Sequence, residues 1–340
     1  MGPCGFGYER VSAPSTNETM DVLYIGGFGR SGSTFLAYLL GQLEGYVVAG
    51  ELKFIWSKGV KANERCGCGA PFADCPFWRD VGQAAFGGWN EVDIDEVLDL
   101  QARVTSNRSV LALLTGVDPG PSFARYAELL HRLYGAILAV SGSRIVVDTS
   151  KTPVEALILA RVPGFQCRAI HLVRDGRGVA FSWAKRGVRR PEVVGAEAVM
   201  LDYPPLYIAP RWVYINLFFE LLRARIPTAR LRYEDLVRAP QEYVEAALLR
   251  SDAPSDPAGL QALGSGSVTL GTLHTIGGNP MRFTAGETAV RADEAWRREM
   301  PPGSRRGVTA VTWPLLLFYD YALRTGAKRS PRTGSCSRGG

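Results

Sequence analysis

The stretch VLYIGGFGRSGSTFLAYLL, at residues 22–40, constrains the fold of this chain more than any other feature. It begins with an apolar run, 22–25, that is long enough for a buried strand, and a turn with four glycines follows. Apolar residues recur after the turn with the spacing of a helix. One face of that helix would carry Phe35, Leu36, Leu39 and Leu40. Strand, glycine turn and helix together predict an anion-binding loop, because backbone N–H groups converge on the ligand and the helix N-terminus adds partial positive charge.

The glycine turn departs from an NTP-binding loop at one position. Gly27 and Gly32 keep the G-x-x-x-x-G spacing, but Ser33 follows where the lysine that grips the transferred phosphate is required. The fixed cation comes earlier, at Arg30. Hydroxyls that can bind the same oxygens belong to Ser31, Ser33 and Thr34. The loop therefore predicts an anion site, and a turn without a ligand is the less favoured alternative because the flanking strand and helix are both present.

Length and charge narrow the class of protein. With 340 residues, 46% of them apolar, the chain can form one large α/β domain or two small ones. Its net charge of +6 comes from Lys and Arg spread along the chain, which favours an anionic small ligand over a nucleic acid. We find no apolar run of roughly 18 residues and no secretory signal, so we expect no membrane span and a cytoplasmic location. One domain is expected at 21–325, between disordered tails at 1–20 and 326–340.

Strand and helix patterns alternate along the chain. Strands are predicted at 45–50, 144–153, 167–173 and 228–236, and helices at 91–104, 122–140 (capped by Ser122), 153–162, 211–225 and 238–250. The Pro- and Gly-rich segments 53–90 and 187–210 are predicted as loop-rich insertions. This alternation predicts an α/β fold with a mostly parallel sheet covered on both faces, whose ligands bind at the carboxyl ends of the strands. Residues predicted at those ends are Arg30, Glu51, Ser150, Lys151 and Arg174.

Arg174 and Ser182 form a second candidate anion site. A loop-to-helix turn lies between them, so a guanidinium and a hydroxyl can reach one anion near a helix N-terminus. Taken alone, the pair has another interpretation, in which Arg174 forms a surface ion pair with Asp175. Together with the glycine loop, it predicts a ligand that carries two separate phosphate groups.

These two motifs, GRSGSTFLAYLL and HLVRDGRGVAFSW, resemble the nucleotide-binding motifs of sulfotransferases that use 3′-phosphoadenosine 5′-phosphosulfate (PAPS). Further segments resemble the bacterial members of that family: DTSKTP at 148–153, RYEDL at 232–236 and HTIGGNPMRF at 274–283. The resemblance covers about residues 21–300. It implies a three-layer P-loop-type fold, with insertions that form the acceptor pocket.

The resemblance also implies how the donor is bound. The glycine loop would hold the 5′-phosphosulfate, Arg174 and Ser182 would hold the 3′-phosphate, and the segment around His274 would close over the nucleotide. The residues so assigned to the donor are Gly29, Arg30, Ser31, Gly32, Ser33, Thr34, Arg174, Ser182, Tyr233, Asn279 and Arg282.

Sulfuryl transfer needs a base for the acceptor hydroxyl and a cation at the leaving oxygen. Glu51 is the candidate base, since it is placed like the catalytic Glu that follows this strand in tyrosylprotein sulfotransferases. Arg30 and Lys151 are the candidate cations, and the low charge of the transferred group makes a metal unnecessary. The alternatives are an ion pair of Glu51 with Lys53 or Arg30, and a surface position for Lys151.

Two other functions remain open at this stage. A P-loop kinase is suggested by IVVD, whose Asp148 resembles a magnesium-binding Walker B residue, and a nucleotide or anion sensor without turnover is also possible. The expected acceptor is the hydroxyl of a phenolic or sugar-bearing small molecule, and the GC-rich bacterial character of the composition suggests natural-product modification. Aromatic residues assigned to the acceptor pocket are Phe54, Trp56, Trp89, Tyr203, Tyr207 and Trp212.

Three of the six cysteines cluster in RCGCGAPFADCPFW, at Cys66, Cys68 and Cys75. The spacing offers three thiols, no obvious fourth ligand and no paired C-x-x-C. Ordinary packed thiols are favoured here, while a local disulfide and a zinc site remain alternatives.

Overall fold

The computed structural model describes residues 19–194, 198–263, 267–284, 286–289 and 292–323. The tails expected at 1–20 and 326–340 lie outside these residues, except for 19 and 20, where the first strand begins.

A five-stranded, entirely parallel sheet forms the centre of the molecule. Its strands are β1 (Met20–Gly26), β2 (Tyr46–Gly50), β3 (Ile145–Lys151), β4 (Phe165–Val173) and β5 (Thr228–Arg232), in the spatial order β2-β3-β1-β4-β5. A separate antiparallel pair is formed by β6 (Ser267–Leu270) and β7 (Gly286–Ala289). The central sheet confirms the α/β fold with parallel strands, and the order places β1, with its glycine turn, in the middle.

Residues of β1 alternate between two hydrophobic clusters, one on each face of the sheet. Met20, Val22 and Tyr24 point into one cluster, whereas Leu23 and Ile25 point into the other. Because successive side chains of a strand point to opposite faces, a strand buried on both faces reads as the continuous apolar run seen in the sequence. The sheet is therefore the middle of three layers.

Thirteen α-helices lie among the described residues. They are α1 (Ser33–Leu40), α2 (Pro76–Phe86), α3 (Ile94–Val104), α4 (Asn107–Thr115), α5 (Pro121–Ser141), α6 (Pro153–Leu159), α7 (Gly176–Trp183), α8 (Pro205–Leu222), α9 (Tyr233–Arg238), α10 (Pro240–Arg250), α11 (Pro257–Ala262), α12 (Trp296–Glu299) and α13 (Pro302–Phe318). Helices α1 and α10 cover one face of the sheet, and α5 and α6 cover the other. None of the helices in the described ranges is both long and apolar enough to cross a membrane.

The insertion expected as loop-rich at 53–90 is mostly helical. A 3₁₀ turn (Leu52–Phe54) leads into a π-helix (Ile55–Lys61), and α2 follows. The Pro and Gly residues that suggested loops are helix boundary signals instead: Pro76 is the first residue of α2, and Gly87 ends it in a left-handed conformation, φ 81°.

Two other boundaries differ from prediction. Helix α5 begins at Pro121 with Gly120 before it, so Ser122 lies inside the helix and does not cap it. Helix α8 begins at Pro205, within the segment expected to be a loop, and includes Pro210. Pro121 and Pro205 are the first residues of their helices, where the missing N–H of proline costs no helical hydrogen bond.

Candidate active site

The glycine turn after β1 has a shape that only glycine allows at two positions. Gly27 has φ 130°, and a β-carbon there would lie 2.2 Å from the carbonyl oxygen of Leu172. Gly32 has φ 93°, and a β-carbon there would lie 2.4 Å from the ring of Tyr233. Gly32 precedes α1 and provides no side-chain cap, so the first N–H groups of the helix can bind an external anion.

Arg30 is held against the wall of a cleft beside this turn. Its guanidinium lies 5.4 Å from the centre of the Trp183 ring and contacts Met200 Sδ at 2.8 Å. Trp183 is fixed in turn, because its indole N–H donates to the Gly29 carbonyl at 3.1 Å. Burial lowers the pKa of Arg30, but a guanidinium stays charged at neutral pH. A fixed cation therefore lies beside the N-terminus of α1.

Arg174 lies directly after β4 and connects the two predicted anion sites. Its Nη1 donates to the Arg30 carbonyl at 3.0 Å, and its guanidinium lies 4.7 Å from the centre of the Tyr233 ring. The expected alternative partner, Asp175, instead pairs with Arg177 at 2.6 Å and caps the N-terminus of α7. The surface ion pair with Asp175 is therefore wrong, and Arg174 faces the cleft.

The anion bound to Arg174 in this structure is Asp293. Arg174 Nη2 lies 3.3 Å from Asp293 Oδ2 and donates to the Asp293 carbonyl oxygen at 2.8 Å. Lys185 lies 3.6 Å from the same carboxylate. Burial raises the pKa of Asp293, but Arg174 and Lys185 outweigh it, so the pKa is below its ordinary value. The carboxylate therefore stays ionised at the position where a ligand anion would approach Arg174.

Both motifs open into one cleft of about 610 Å³ at the carboxyl ends of the strands. Residues from the two motifs that line it are Gly29, Arg30, Gly32, Ser33, Thr34, Phe35, Arg174, Ser182 and Trp183. Its described lining includes six basic residues (Arg30, Lys53, Lys58, Lys151, Arg174 and Arg190) and three acidic ones (Glu51, Glu192 and Asp293). The excess of positive charge suits a polyanionic ligand.

Glu51 and Lys151 form an ion pair on the floor of the cleft. They meet because β2 and β3 are neighbours in the sheet: Glu51 directly follows the last residue of β2, and Lys151 is the last residue of β3. The backbone of Glu51 is fixed as well, since its N–H donates to the Ile276 carbonyl at 2.6 Å. The expected ion pair of Glu51 exists, but its partner is Lys151 and not Lys53 or Arg30.

The charge state of Glu51 is set by two opposing effects. Burial raises its pKa, but Lys151, Lys53 and Lys58 favour the carboxylate and together bring the pKa below its ordinary value. Lys53 itself is half-buried, and desolvation lowers its pKa. A carboxylate that is ionised at neutral pH can accept a proton. Once it is protonated, the lysine that was paired with it can interact with a second anion.

Two predicted donor residues do not line the cleft. Ser31 is buried, and its hydroxyl has no hydrogen-bond partner among the described residues. Arg282 is buried and donates to the carbonyl oxygens of Thr275 at 2.7 Å and Arg65 at 2.9 Å. Its guanidinium holds two backbone segments together and cannot reach the ligand at the same time. Tyr233 and Asn279 do line the cleft, and their contact with the donor stays a prediction.

Half of the aromatic residues assigned to the acceptor pocket belong to the core. Trp56 and Trp212 are fully buried, and Trp89 packs against Trp56 with ring centres 6.3 Å apart. Phe54 and Tyr203 line the cleft. Tyr207 stacks on Tyr203 at 5.1 Å and is 43% exposed. The cleft therefore has an aromatic component, but a smaller one than the sequence suggested.

Asp148 does not have the position of a Walker B residue. Its carboxylate accepts hydrogen bonds from the Tyr134 hydroxyl at 2.7 Å and from the Ser150 hydroxyl at 2.6 Å. It is buried and is not among the described residues that line the cleft. The geometry therefore does not favour a magnesium site at this position.

Several cleft residues were missed by sequence reasoning. Lys53 and Lys58 both lie against the Phe54 ring, with their Nζ atoms 4.7 Å and 4.3 Å from its centre. The 3₁₀ and π turns bring them to the cleft, and a segment interpreted as a loop gave no reason to place them there. Trp183 was within a quoted motif and directly follows Ser182, so its position could have been inferred. Asp293 lies in no recognised pattern.

Comparisons with known proteins support the fold. No protein-family model matches the chain, and no curated protein matches its sequence. Among solved structures, the sulfotransferase domain of the Synechococcus olefin synthase matches with a TM-score of 0.51 and 21% identity, over 93% of this chain and 100% of that chain. The chain thus has the fold of a sulfotransferase domain, as the resemblance implied.

Two further structures match less closely. The sulfotransferase domain from the curacin biosynthetic pathway has a TM-score of 0.49 and 17% identity, over 91% of this chain and 100% of that chain. A sulfotransferase from Mycobacterium avium has a TM-score of 0.43 and 14% identity, over 90% of this chain and 78% of that chain.

Proposed function

We propose that the protein transfers a sulfuryl group from PAPS to a hydroxyl of a small molecule. The observation that carries this proposal is the shared cleft, in which the glycine turn, Arg174 with Ser182, and the Glu51–Lys151 pair meet. The sequence motifs that resemble those of PAPS-dependent sulfotransferases supply the identity of the donor. The fold is consistent with that activity.

In this proposal the two ends of the donor bind at the two motifs. The N–H groups at the start of α1, with the hydroxyls of Ser33 and Thr34, hold the 5′-phosphosulfate. Arg174 and Ser182 hold the 3′-phosphate, with Tyr233 packed against the guanidinium and Asn279 in the lining of the same cleft. We do not assign ligand contacts to the side chains of Ser31 and Arg282.

The reaction is an in-line displacement at sulfur. The acceptor oxygen forms a new bond to sulfur while the bond from sulfur to the bridging oxygen of the donor breaks, and adenosine 3′,5′-bisphosphate (PAP) leaves. Glu51 takes the proton of the acceptor hydroxyl, while Lys151 and Arg30 stabilise the charge that develops on the leaving oxygen. Proton uptake by Glu51 frees Lys151 from its ion pair at the moment when the leaving oxygen needs a cation.

The remaining lining of the cleft suits an acceptor with an apolar or aromatic part. Phe54 and Tyr203 contribute aromatic surface, and Val199, Met200 and Leu201 add aliphatic surface. These residues come from the two segments predicted as insertions, at 53–90 and 187–210. A phenolic or sugar-bearing small molecule is the acceptor class that we propose.

Binding and turnover together test this function. We expect PAP to bind without added metal in isothermal titration calorimetry, and ATP with Mg²⁺ to bind more weakly. We also expect transfer of ³⁵S from labelled PAPS to members of a phenol and sugar panel. Tighter binding of ATP with Mg²⁺ would favour a kinase, and PAP binding without transfer to any acceptor would favour the sensor alternative.

Asp293→Asn is expected to tighten PAP binding by about fivefold. The substitution removes a negative charge beside Arg174, and two unit charges ~4 Å apart interact by about 1 kcal/mol in water. Affinity for adenosine 5′-phosphosulfate, which lacks the 3′-phosphate, should not change. Glu294→Gln is the matched control, since Glu294 pairs with Arg297. Weaker PAP binding by Asp293→Asn would mean that Asp293 orients Arg174 for the ligand.

Lys151→Met is expected to move the acid limb of kcat/KM to higher pH. In the native protein the lowered pKa of Glu51 keeps the base deprotonated, so activity should persist to pH values below the ordinary carboxylate pKa of 4.5. Without Lys151, fewer cations oppose the effect of burial and the pKa of Glu51 rises, so activity should be lost at a higher pH than in the native protein. The measurement is a pH profile of both enzymes on one acceptor.

Lys58→Met is the control for this profile. Lys58 also lowers the pKa of Glu51 but contributes less than Lys151, so its removal should move the acid limb less. An unchanged acid limb in Lys151→Met would show that the titrating group is not Glu51.

A further inference from the structure

Four metal-ligating side chains meet outside the cleft. The Sγ atoms of Cys66, Cys68 and Cys75 and Nδ1 of His274 all lie within 4.8 Å of one another. Cys75 Sγ lies 3.3 Å from the His274 nitrogen and 3.7 Å from Cys68 Sγ, and Cys66 Sγ lies 3.8 Å from the nitrogen. None of these residues is among those that line the cleft.

We propose that this cluster binds one Zn²⁺ ion as a structural site. Zn–S bonds of ~2.3 Å and a Zn–N bond of ~2.0 Å at tetrahedral angles place sulfurs about 3.8 Å apart, and sulfur and nitrogen about 3.5 Å apart. The three short distances in the cluster, 3.3, 3.7 and 3.8 Å, lie close to these values, and the other three pairs of ligand atoms lie within 4.8 Å. Three thiolates and one imidazole form a closed set of four ligands, which is typical of structural zinc and leaves no position for a substrate.

The tertiary fold supplies the ligand that the local sequence lacks. His274 lies 199 positions after Cys75 in the chain. The sequence interpretation had placed His274 with the donor loop and favoured packed thiols for the cysteines. The Phe77 ring stacks on the His274 ring, with centres 5.1 Å apart, and fixes the imidazole plane beside the thiols.

The backbone around the cysteines is folded into a tight loop that presents their sulfurs. The Gly69 N–H donates to the Cys66 carbonyl at 2.8 Å, and the Cys66 N–H donates to the Ala70 carbonyl at 2.8 Å. This turn places the sulfurs of Cys66 and Cys68 within 4.8 Å of Cys75 Sγ and of the His274 nitrogen.

Other uses of these thiols fit the geometry less well. A disulfide needs sulfurs ~2.05 Å apart, whereas Cys68 and Cys75 are 3.7 Å apart and all three cysteines are free thiols. Simple packing does not explain why an imidazole nitrogen faces two sulfurs. The four atoms also include no carboxylate oxygen, which argues against calcium or magnesium.

The zinc site would fasten the cysteine loop to the segment that borders the cleft. Gly67 N–H donates to the Thr275 carbonyl at 3.0 Å, and the next residue, Ile276, exchanges hydrogen bonds with Ala49 and Glu51. His274 is therefore two residues from the backbone that fixes Glu51. Any effect of zinc on turnover rests on the proposed function, but zinc binding itself does not.

Metal analysis of the full-length protein tests the proposal. We expect about one zinc per chain after purification and gel filtration, measured by inductively coupled plasma mass spectrometry. Cobalt(II) exchange should give the visible bands of a tetrahedral site and a thiolate charge-transfer band. Cys68→Ser and His274→Ala should lose most of the bound metal, and Cys167→Ser, which alters a buried thiol in β4, should retain it.

The wild-type measurements decide the proposal even where a variant does not fold. A protein that contains no zinc, and that retains none after incubation with Zn²⁺ and gel filtration, would overturn it. So would a Cys68–Cys75 disulfide found by mass spectrometry without reduction, or iron as the bound metal. Because metal content is read without any substrate, these outcomes are independent of whether the protein transfers sulfate.

Discussion

Glu51→Gln lowers kcat by about 10²-fold or more and leaves PAP affinity nearly unchanged, if Glu51 is the general base. Glutamine keeps the shape of the side chain but cannot take the proton of the acceptor hydroxyl. The position of Glu51 beside Lys151 supports this role, because the carboxylate is ionised and its backbone is fixed. The measurements are steady-state kinetics with one acceptor and calorimetric PAP binding.

Two controls separate loss of the base from loss of structure. Glu192→Gln changes another cleft carboxylate, which pairs with Arg190 at 2.9 Å, and should reduce kcat far less. Thermal unfolding should show that Glu51→Gln stays folded despite the lost ion pair with Lys151. Normal turnover by Glu51→Gln would show that another group accepts the proton.

Arg174→Ala weakens PAP binding by about 10- to 100-fold, since a hydrogen-bonded guanidinium–phosphate contact contributes roughly 1.5–3 kcal/mol. The loss should be specific for the 3′-phosphate, so affinity for adenosine 5′-phosphosulfate should change little. Arg174 contacts the glycine turn at the Arg30 carbonyl, and this contact places its guanidinium within the shared cleft. Calorimetric titration of both nucleotides measures the difference.

The neighbouring arginines provide the comparison. Arg30→Ala should weaken both nucleotides, because Arg30 lies beside the site proposed for the 5′-phosphosulfate. Arg190→Ala should have the smaller effect, since Arg190 already pairs with Glu64 and Glu192. Equal losses for both nucleotides in Arg174→Ala would contradict its assignment to the 3′-phosphate.

Local patterns were enough to predict the scaffold of the site. The apolar run of β1 and the helical repeat of α1 depend on residues next to each other in sequence, and the structure confirms both. The turn needed glycine because Gly27 and Gly32 have positive φ, and this too is a local property. Arg174 follows its strand directly, so parallel-sheet topology was sufficient to place it at the carboxyl edge.

Predictions from local patterns failed where proline, glycine or tryptophan is compatible with two different kinds of structure. Pro76 and Pro121 were taken as loop residues or overlooked, although both begin helices. Trp56 and Trp212 were assigned to the acceptor pocket, although both are fully buried. A tryptophan packs in a core as readily as in a ligand site, and only its neighbours decide which.

The sequence by itself determined the parallel α/β scaffold, the glycine turn between β1 and α1, and the two motifs that predict a donor with two phosphate groups. Only the tertiary structure decided which charges and ligands meet. It paired Glu51 with Lys151 across 100 positions, Arg174 with the Asp293 backbone across 119, and Cys75 with His274 across 199. Periodicity and turn chemistry are set by near neighbours in the chain, whereas these contacts depend on strand order and on where each connecting segment returns to the sheet.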